Sequence, residues 1–237
     1  MKDILLELRT SFINKGCKIP DFAPSTDWWG CGTGVKSTSQ GEKRLQEFQE
    51  GFKSISTHEE EIIKHADIIV SDNTTPSSVE IDPKILSCIP SSARFNCAIA
   101  NKYGAHNKGA GLVDFWARSK NILQKYKWLL YFEPRLTLRK FDFFESFFKN
   151  NRTIFTYPLG YLEGMHPEQF NTGLFAARVE DILNYVDSID LNQMVLNAVS
   201  IEDSLLYFYK ENKIDYDILP EMGVKWHDST IDRTIDM

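Results

Sequence analysis

The sequence predicts an α/β protein in which a mostly parallel mixed sheet lies between two layers of helices, a three-layer sandwich. Short apolar, β-branched runs alternate along the chain with segments of helical periodicity. Polar clusters follow several of these runs, and in open α/β sheets ligands bind beyond the carboxyl ends of the strands. The 237 residues show no repeat and no long Pro/Gly linker, so a single domain over residues 1–237 is expected.

The predicted elements follow in chain order. Apolar residues at helical spacing predict helices over residues 1–14, from Ser39 to about residue 55, from Thr57 to about His65, after residue 111, and over 138–151, 179–188 and 201–212. Short apolar runs predict strands at residues 27–34, 66–74, 93–99, 127–135, 153–157, 171–178 and 216–219. We expect a Gly-rich loop over 101–111 and an irregular tail that contains KWHDS, residues 225–229.

Composition excludes several classes of protein. Aromatic residues make up 13% of the chain, which excludes a disordered protein. The net charge of −6 argues against broad electrostatic capture of nucleic acid. The four cysteines form no C-x-x-C pair, which excludes zinc-ribbon and thioredoxin-like sites. No apolar run approaches the roughly 20 residues of a membrane span, and MKDILLELRTSF lacks a signal-peptide core, so we expect a cytoplasmic protein.

Polar residues follow three of the predicted strands or strand–helix junctions. Asp72 and Asn73 end the run IIVSDN, and a carboxylate there could accept hydrogen bonds from a ligand or could cap a turn. Asn107 and Lys108 precede a helix, where they could bind a phosphate or form an ordinary N-terminal cap. We keep both interpretations for each pair.

A third polar cluster follows the apolar strand WLLYF. Glu133 could bind a metal ion or a sugar hydroxyl, and Arg135 could face a phosphate group. The alternative is a strand-end ion pair with neighbouring charges. Further on, Glu202 and Asp203 follow Ser200 at the start of a helix, where a carboxylate could act as a general base or could complete a capping box.

The order of these motifs resembles the nucleotide-sugar glycosyltransferases of the GT-A fold, in the style of the large family 2. Those enzymes commonly run through a strand that ends in an acidic residue, an Asn-x-Gly loop before a helix, and a strand that ends in Asp-x-Asp. The corresponding segments here are IIVSDN (68–73), HNKGAG (106–111), YFEPRLTL (131–138), FNTGLFAAR (170–178) and IEDSLLYFY (201–209). The resemblance spans roughly residues 27–228 and implies a GT-A-like, Rossmann-like sandwich.

The resemblance also implies a function and a set of site residues. It implies transfer of a sugar from a nucleotide-sugar donor, with a UDP-sugar favoured, to a glycan, a glycolipid or another hydroxyl acceptor in polysaccharide biosynthesis. Such an enzyme could associate peripherally with a membrane. The residues that would bind the donor are Asp72, Asn73, Asn107, Lys108, Glu133 and Arg135. The leading pair Glu202 and Asp203 would supply the base.

The sequence departs from the family at the motif that binds metal. Where the family has Asp-x-Asp, this chain has Glu133-Pro134-Arg135, and an arginine there repels a cation. Glu133 and His227 are the candidate ligands for Mn²⁺ or Mg²⁺, and Arg135 offers positive charge in place of the metal. The sequence therefore leaves metal dependence open.

Two other functions compete with glycosyl transfer. A nucleotidyltransferase of related architecture would place a Gly-rich nucleotide loop near the first strand, and GCGTGVK at residues 30–36 is a loose candidate. A catalytically inactive nucleotide-sugar-binding module is the other alternative, because EPR replaces the acidic motif.

Overall fold

The computed structural model describes residues 2–11, 38–74, 77–78, 81–98, 102–104, 106–156, 169–228 and 233–236. The side chains of residues 38–44, 227–228 and 233–236 lie outside this description. The strand predicted over 27–34 and the Gly-rich segment 30–36 fall outside it as well.

Strands within the described residues form two sheets. Their bounds are β1 Ile4–Thr10, β2 Ala66–Asp72, β3 Arg94–Cys97, β4 Trp128–Phe132, β5 Thr137–Leu138, β6 Ile154–Thr156, β7 Asn171–Arg178, β8 Asp217–Leu219, β9 Val224–Asp228 and β10 Arg233–Asp236. The main sheet has seven strands in the order β3-β2-β1-β4-β7-β6-β8, and only β7 runs antiparallel to the rest of it. The predicted α/β class with a mostly parallel mixed sheet is thus confirmed.

The first strand corrects the sequence prediction, because residues 4–10 form β1 and not part of a helix. β1 pairs with β2 on one side and with β4 on the other, and all seven of its residues are buried. A central parallel strand is covered by helices on both faces, so its apolar residues need not alternate with polar ones. The run ILLEL therefore also matches helical spacing, and this ambiguity caused the error.

Helices cover both faces of the sheet. Their bounds are α1 Thr38–Ser56, α2 Glu59–His65, α3 Pro83–Leu86, α4 Lys108–Arg118, α5 Lys120–Leu123, α6 Asp142–Asn150, α7 Val179–Ser188, α8 Leu191–Leu196 and α9 Ile201–Glu211. One apolar core joins α1, α2, α3 and α6 to the sheet, and a second core on the opposite face joins α4, α5, α7, α8 and α9 to it. The predicted three-layer arrangement follows from these two cores. None of the described helices is both long enough and apolar enough to cross a membrane.

Helix boundaries agree with the sequence only in part. The helix predicted over 138–151 begins at Asp142, because Leu138 lies in β5, and the short helices α3 and α8 were not predicted. Two further details differ. α4 begins at Lys108, so its first turn occupies part of the segment predicted as a loop over 101–111. The N-cap of α2 is His58, and no side chain caps it; Thr57 donates instead to the carbonyl of Lys53 at 2.9 Å. The helix predicted to start at Thr57 therefore begins two residues later, at Glu59.

The tail corrects a second prediction. Residues 224–228, expected to be irregular, form β9 of a three-stranded antiparallel sheet in the order β10-β9-β5. Gly223 precedes this strand with a φ of 68°, and its carbonyl accepts hydrogen bonds from the backbone amides of Arg139 at 2.7 Å and Lys140 at 3.0 Å. Glycine suits this position because residues that carry a Cβ disfavour positive φ. The turn links the tail to the segment that follows β5.

Candidate active site at the carboxyl edge of the sheet

The site-forming edge lies where β1, β2 and β4 end and where the antiparallel strand β7 begins. β1 stands between β2 and β4, so the strands that follow it in sequence lie on both sides of it in the sheet. Such a switch in strand order opens a crevice at the carboxyl ends, because the connections to the two neighbouring strands diverge there. The polar clusters that the sequence predicts fall at this edge.

Glu133 forms the centre of a charged cluster. Its Oε1 accepts a hydrogen bond from Nζ of Lys108 at 3.0 Å, and the same oxygen contacts Nε and Nη2 of Arg135. Burial alone would raise the pKa of Glu133, but the charges of Arg135 and Lys108 outweigh burial and hold this pKa well below its usual range. The carboxylate is therefore ionised at neutral pH and is compensated by two cations.

The turn after β4 is fixed from two sides. The Glu133 amide donates to the carbonyl of Gly173 on β7 at 2.8 Å, and the Leu136 amide donates to the Glu133 carbonyl at 2.9 Å. On the other side, Gly51 of α1 lies so close that a Cβ there would stand 1.9 Å from the Pro134 carbonyl oxygen. Only a glycine permits this approach, so α1 holds the turn that carries Glu133 and Arg135.

Asn107 caps α4 and ties it to the segment before α9. Its Oδ1 accepts from the amide of Ala110 at 3.0 Å, and its Nδ2 donates to the carbonyls of Val199 at 2.9 Å and Met194 at 3.2 Å. Its amide oxygen and nitrogen are thus engaged within the fold, which is the capping role that the sequence left open. These bonds bring the N-terminus of α4, with Lys108, beside the N-terminus of α9.

The second group of acidic residues lies at the start of α9. Thr172 of β7 donates to Oε1 of Glu202 at 2.7 Å. Oδ2 of Asp203 accepts from Nε2 of Gln169 at 2.9 Å and from Oγ of Ser200 at 2.8 Å. Ser200 also caps the helix by accepting from the Asp203 amide at 3.0 Å, which confirms the serine cap of the predicted capping box. Both carboxylates thus receive hydrogen bonds from neutral donors.

The start of β7 connects the two groups. The Gly173 carbonyl accepts the backbone hydrogen bond of Glu133, and the adjacent Thr172 binds Glu202. The cationic cluster and the carboxylates of α9 therefore flank the same short segment, Asn171–Gly173. This arrangement places positive charge and a pair of carboxylates on either side of one strand end.

Asp72 and Asn73 lie apart from that cluster. Asp72 is fully buried, and its carboxylate accepts from Oγ1 of Thr10 at 2.8 Å and from the amide and hydroxyl of Thr74, each at 2.7 Å. It follows Ile68 and Val70 on the sheet face covered by α1, whereas Lys108 approaches Glu133 from α4 on the opposite face. These bonds lock the end of β2, and a contact of Asp72 or Asn73 with a ligand stays a prediction.

Arg9 is a residue at this edge that the sequence analysis missed. It lies on β1 one residue before the strand ends, and only 6% of its surface is exposed. Taking residues 4–10 as a helix hid it, because an arginine on a helix is ordinarily solvated. Had the run been taken as a central strand, a charged residue in a fully covered position would have marked a functional site.

The described residues do not fit a divalent cation. They contain no group of three or more His, Cys, Asp or Glu side chains placed to hold a metal ion. Glu133, the candidate ligand among them, already binds Lys108 and Arg135, whose charges oppose a metal ion beside it. The backbone of His227 lies on β9 opposite Thr234, and its side chain is outside the described part of the chain.

Comparison with solved structures shows what this architecture resembles. A protein from Desulfovibrio desulfuricans G20, named as a nucleotide-diphospho-sugar transferase, superposes with a TM-score of 0.55 at 10% identity; the match covers 93% of this chain and 80% of that one. A glycosyltransferase involved in the glycosylation of the major capsid of PBCV-1 matches with a TM-score of 0.46 at 10% identity, over 92% of this chain and 82% of the other.

A third match is 4-diphosphocytidyl-2C-methyl-D-erythritol synthase from Anaerococcus prevotii DSM 20548, with a TM-score of 0.41 at 11% identity over all of this chain and 91% of the other. No protein-family model matches the sequence. No curated protein matches it at a significant level either. At such low identity these likenesses concern the fold alone. The chain therefore shares a GT-A-like α/β fold with the first of these structures.

Proposed function

We propose that the protein is a glycosyltransferase that moves a sugar from a nucleotide-sugar donor, with a UDP-sugar favoured, to a hydroxyl of a glycan or glycolipid. The observation that carries this proposal is the juxtaposition around Asn171–Gly173: the ion-paired Glu133 on one side and the carboxylate of Glu202 on the other. The two groups match the two electrostatic demands of glycosyl transfer.

The first demand comes from the leaving group. When the bond between the anomeric carbon and the β-phosphate oxygen breaks, the oxygen keeps the electron pair and the diphosphate gains negative charge. Lys108 and Arg135 would stabilise that charge, and the planar guanidinium of Arg135 suits phosphate oxygens. Because Glu133 holds both cations in place, we propose that donor binding depends on Arg135 at least as much as on Mn²⁺ or Mg²⁺.

The second demand comes from the acceptor. Its hydroxyl oxygen forms the new bond to the anomeric carbon and must lose its proton. In an enzyme that inverts the anomeric configuration, one of the carboxylates Glu202 and Asp203 would take this proton. The hydrogen bonds from Thr172, Gln169 and Ser200 would hold these carboxylates in orientation without cancelling their charge.

The two alternatives have less support. The Gly-rich segment 30–36, on which the nucleotidyltransferase hypothesis depended, lies outside the described residues. An inactive nucleotide-sugar-binding module would bind a donor without turning it over, and only an assay separates it from an enzyme. Location in the cytoplasm, peripheral contact with a membrane, and a role in polysaccharide biosynthesis remain predictions.

The test combines donor screening with one substitution. UDP-, GDP-, CMP- and dTDP-sugars are added separately to the protein with EDTA and with Mn²⁺, and the shift in melting temperature identifies the donor. Calorimetry with that donor then compares the wild type with Arg135→Ala, for which we expect binding weaker by about 1.5–3 kcal/mol, the range for a charge-assisted hydrogen bond. If EDTA abolishes wild-type binding while Arg135→Ala leaves it unchanged, a metal ion holds the donor and the proposed role of Arg135 is wrong.

A further inference from the structure

Arg9 carries a buried charge at the edge of the sheet. Its side chain lies on the same face of β1 as Leu5, which is the face covered by α4, and its guanidinium carbon lies 4.4 Å from the ring centroid of Phe115 on α4. Within the described part of the chain, its Nη1 is buried and donates a hydrogen bond to no acceptor. A buried charged donor that lacks an acceptor destabilises the fold, so the missing acceptor of Nη1 calls for an explanation.

Acidic residues near Arg9 are engaged elsewhere. Glu7, two residues earlier on the same face, attracts Arg9 but accepts hydrogen bonds from Nε1 of Trp116 at 2.8 Å and from the side chain of Ser71. Burial, the largest influence, raises the pKa of Glu7, although Arg9 lowers it. Glu133 is bound by Lys108 and Arg135. The fold thus provides counter-charges around Arg9 but leaves Nη1 without a partner.

The register of the sheet brings Arg9 next to the charged cluster. Glu7 stands opposite Tyr131, and Leu8 opposite Phe132, which is the last paired position of β1 and β4. Arg9 directly follows Leu8, and Glu133 directly follows Phe132, so both residues leave the same end of this strand pair. The charges of Arg9, Glu7, Glu133 and Arg135 all act on the buried Tyr131, so each of the four lies near this one side chain. Arg9 therefore belongs spatially to the group that contains Lys108 and Arg135.

We propose that Arg9 joins Lys108 and Arg135 in a basic cluster that binds the diphosphate of a nucleoside diphosphate, and that this cluster takes the place of a divalent cation. Nη1 of Arg9 is buried and donates to no acceptor within the described residues, so a phosphate oxygen that reaches it would supply the missing acceptor. The planar fork of an arginine, already placed over the ring of Phe115, is suited to phosphate oxygens. The proposal rests on the proposed function, because it assigns the diphosphate of the donor to this place.

The experiment measures how much the diphosphate adds to nucleoside binding. Calorimetry in EDTA gives the dissociation constants of UDP and of uridine for the wild type, Arg9→Met and Arg9→Lys. If the donor screen selects another nucleotide, the diphosphate and the nucleoside of that base are used in place of UDP and uridine. Arg152→Met is the matched control, because Arg152 is exposed and pairs with Asp217 on β8. We use the ratio of the two constants because incomplete folding lowers the number of binding sites and leaves the ratio unchanged.

We expect the wild type to bind UDP more tightly than uridine in EDTA. Arg9→Met should reduce that preference by about 10- to 100-fold, the range for a charge-assisted hydrogen bond, while uridine binding and the Arg152→Met ratio stay the same. Arg9→Lys keeps the charge but loses the planar fork, so its preference for UDP should lie between those of the wild type and Arg9→Met. If Arg9→Met does not fold because Glu7 is left uncompensated, the double variant Glu7→Gln/Arg9→Met replaces it.

Two results would overturn the proposal and leave the proposed function standing: an unchanged ratio in the folded Arg9 variants, or wild-type UDP binding that disappears in EDTA and returns with Mn²⁺. Absence of binding of any nucleoside diphosphate to the wild type, with or without metal, would overturn both. A ratio that falls in Arg9→Met but not in Arg152→Met supports the cluster.

Discussion

The two sides of the candidate site hold their carboxylates in different ways. On the β4 side, Glu133 contacts two cationic side chains, Lys108 and Arg135. On the α9 side, Glu202 and Asp203 receive hydrogen bonds from Thr172, Gln169 and Ser200, none of which carries a charge. The first arrangement cancels the negative charge of the carboxylate, and the second orients the carboxylates without cancelling their charge.

Under the proposed function, this difference gives the two sides separate tasks. A carboxylate between two cations is a poor proton acceptor and a poor metal ligand, but it fixes the cations that face an anion. Carboxylates that bind neutral donors keep their charge and can take up a proton from an acceptor hydroxyl. The β4 side is thus suited to the leaving group, and the α9 side to the acceptor.

The largest effect is expected on the α9 side. Asp203→Asn and Glu202→Gln each preserve the size of the side chain, and the variant that removes the base should lower turnover by about 10²-fold or more with donor binding unchanged. Initial rates and calorimetry with the donor separate turnover from binding. The comparison of the two variants also identifies which carboxylate takes the proton.

Glu211→Gln, at the other end of α9, is the control for loss of an acidic residue from this helix. If both variants keep full turnover and lose only about 1 kcal/mol of unfolding free energy, the two residues serve to cap the helix. The division of tasks between the two sides would then be wrong.

A change in α1 should disturb the β4 side alone. In Gly51→Ala the new Cβ would meet the Pro134 carbonyl at 1.9 Å, and backbone on both sides leaves little room to move. We expect a loss of about 1–3 kcal/mol of unfolding free energy from overpacking, although alanine favours a helix over glycine by about 1 kcal/mol. Urea unfolding measures the loss, with Glu50→Ala on the exposed face of α1 as the control.

Donor affinity should fall in Gly51→Ala as well, because the turn from Glu133 to Leu136 must shift. A variant that is as stable as the wild type and binds the donor equally well would show that this turn can move freely. The close approach of Gly51 would then not be what holds Glu133 and Arg135 in place.

The sequence predicts most of the elements because each carries a local signal. The strand over 66–74 is bounded by polar residues, and the helix over 201–212 has a serine cap at Ser200 that the structure confirms. The prediction for β1 was wrong because a strand that is covered on both faces has no alternation of polar and apolar residues. The prediction for β9 was wrong because a short strand in a small sheet depends on its partners, β5 and β10, and no local pattern reveals them.

The site was predictable by residue type and less so by contact. Strand-end position identified Glu133 and Arg135, and their ion pair follows from their spacing in the turn. The bonds of Asn107 to Val199 and Met194 join segments about ninety residues apart, and the approach of Lys108 to Glu133 depends on where the helix packs. Such contacts arise from tertiary packing, so the sequence could propose the residues but could not decide between a capping role and a binding role.

The smallest effect concerns the pH dependence of the Glu133 cluster. Glu133→Gln removes the negative charge between Lys108 and Arg135 and should cost about 1 kcal/mol of unfolding free energy at neutral pH, a modest value because Lys108 is partly exposed. The pKa of Glu133 is lowered in the folded protein, so its contribution to stability is present above the pKa of an unfolded glutamate, about 4.3.

The difference in unfolding free energy between the wild type and Glu133→Gln should therefore stay constant from pH 7 to about pH 5. It should shrink as the pH falls below about 4.3, because the glutamate of the unfolded chain then takes up a proton that Glu133 in the folded protein does not. Urea unfolding at a series of pH values measures this difference. Glu221→Gln, which breaks an exposed pair with Lys140, should show almost no difference at any pH. A Glu133→Gln difference that is independent of pH down to pH 3, or that grows on acidification, would mean that the two cations do not compensate Glu133, and the contrast between the two sides would lose its physical basis.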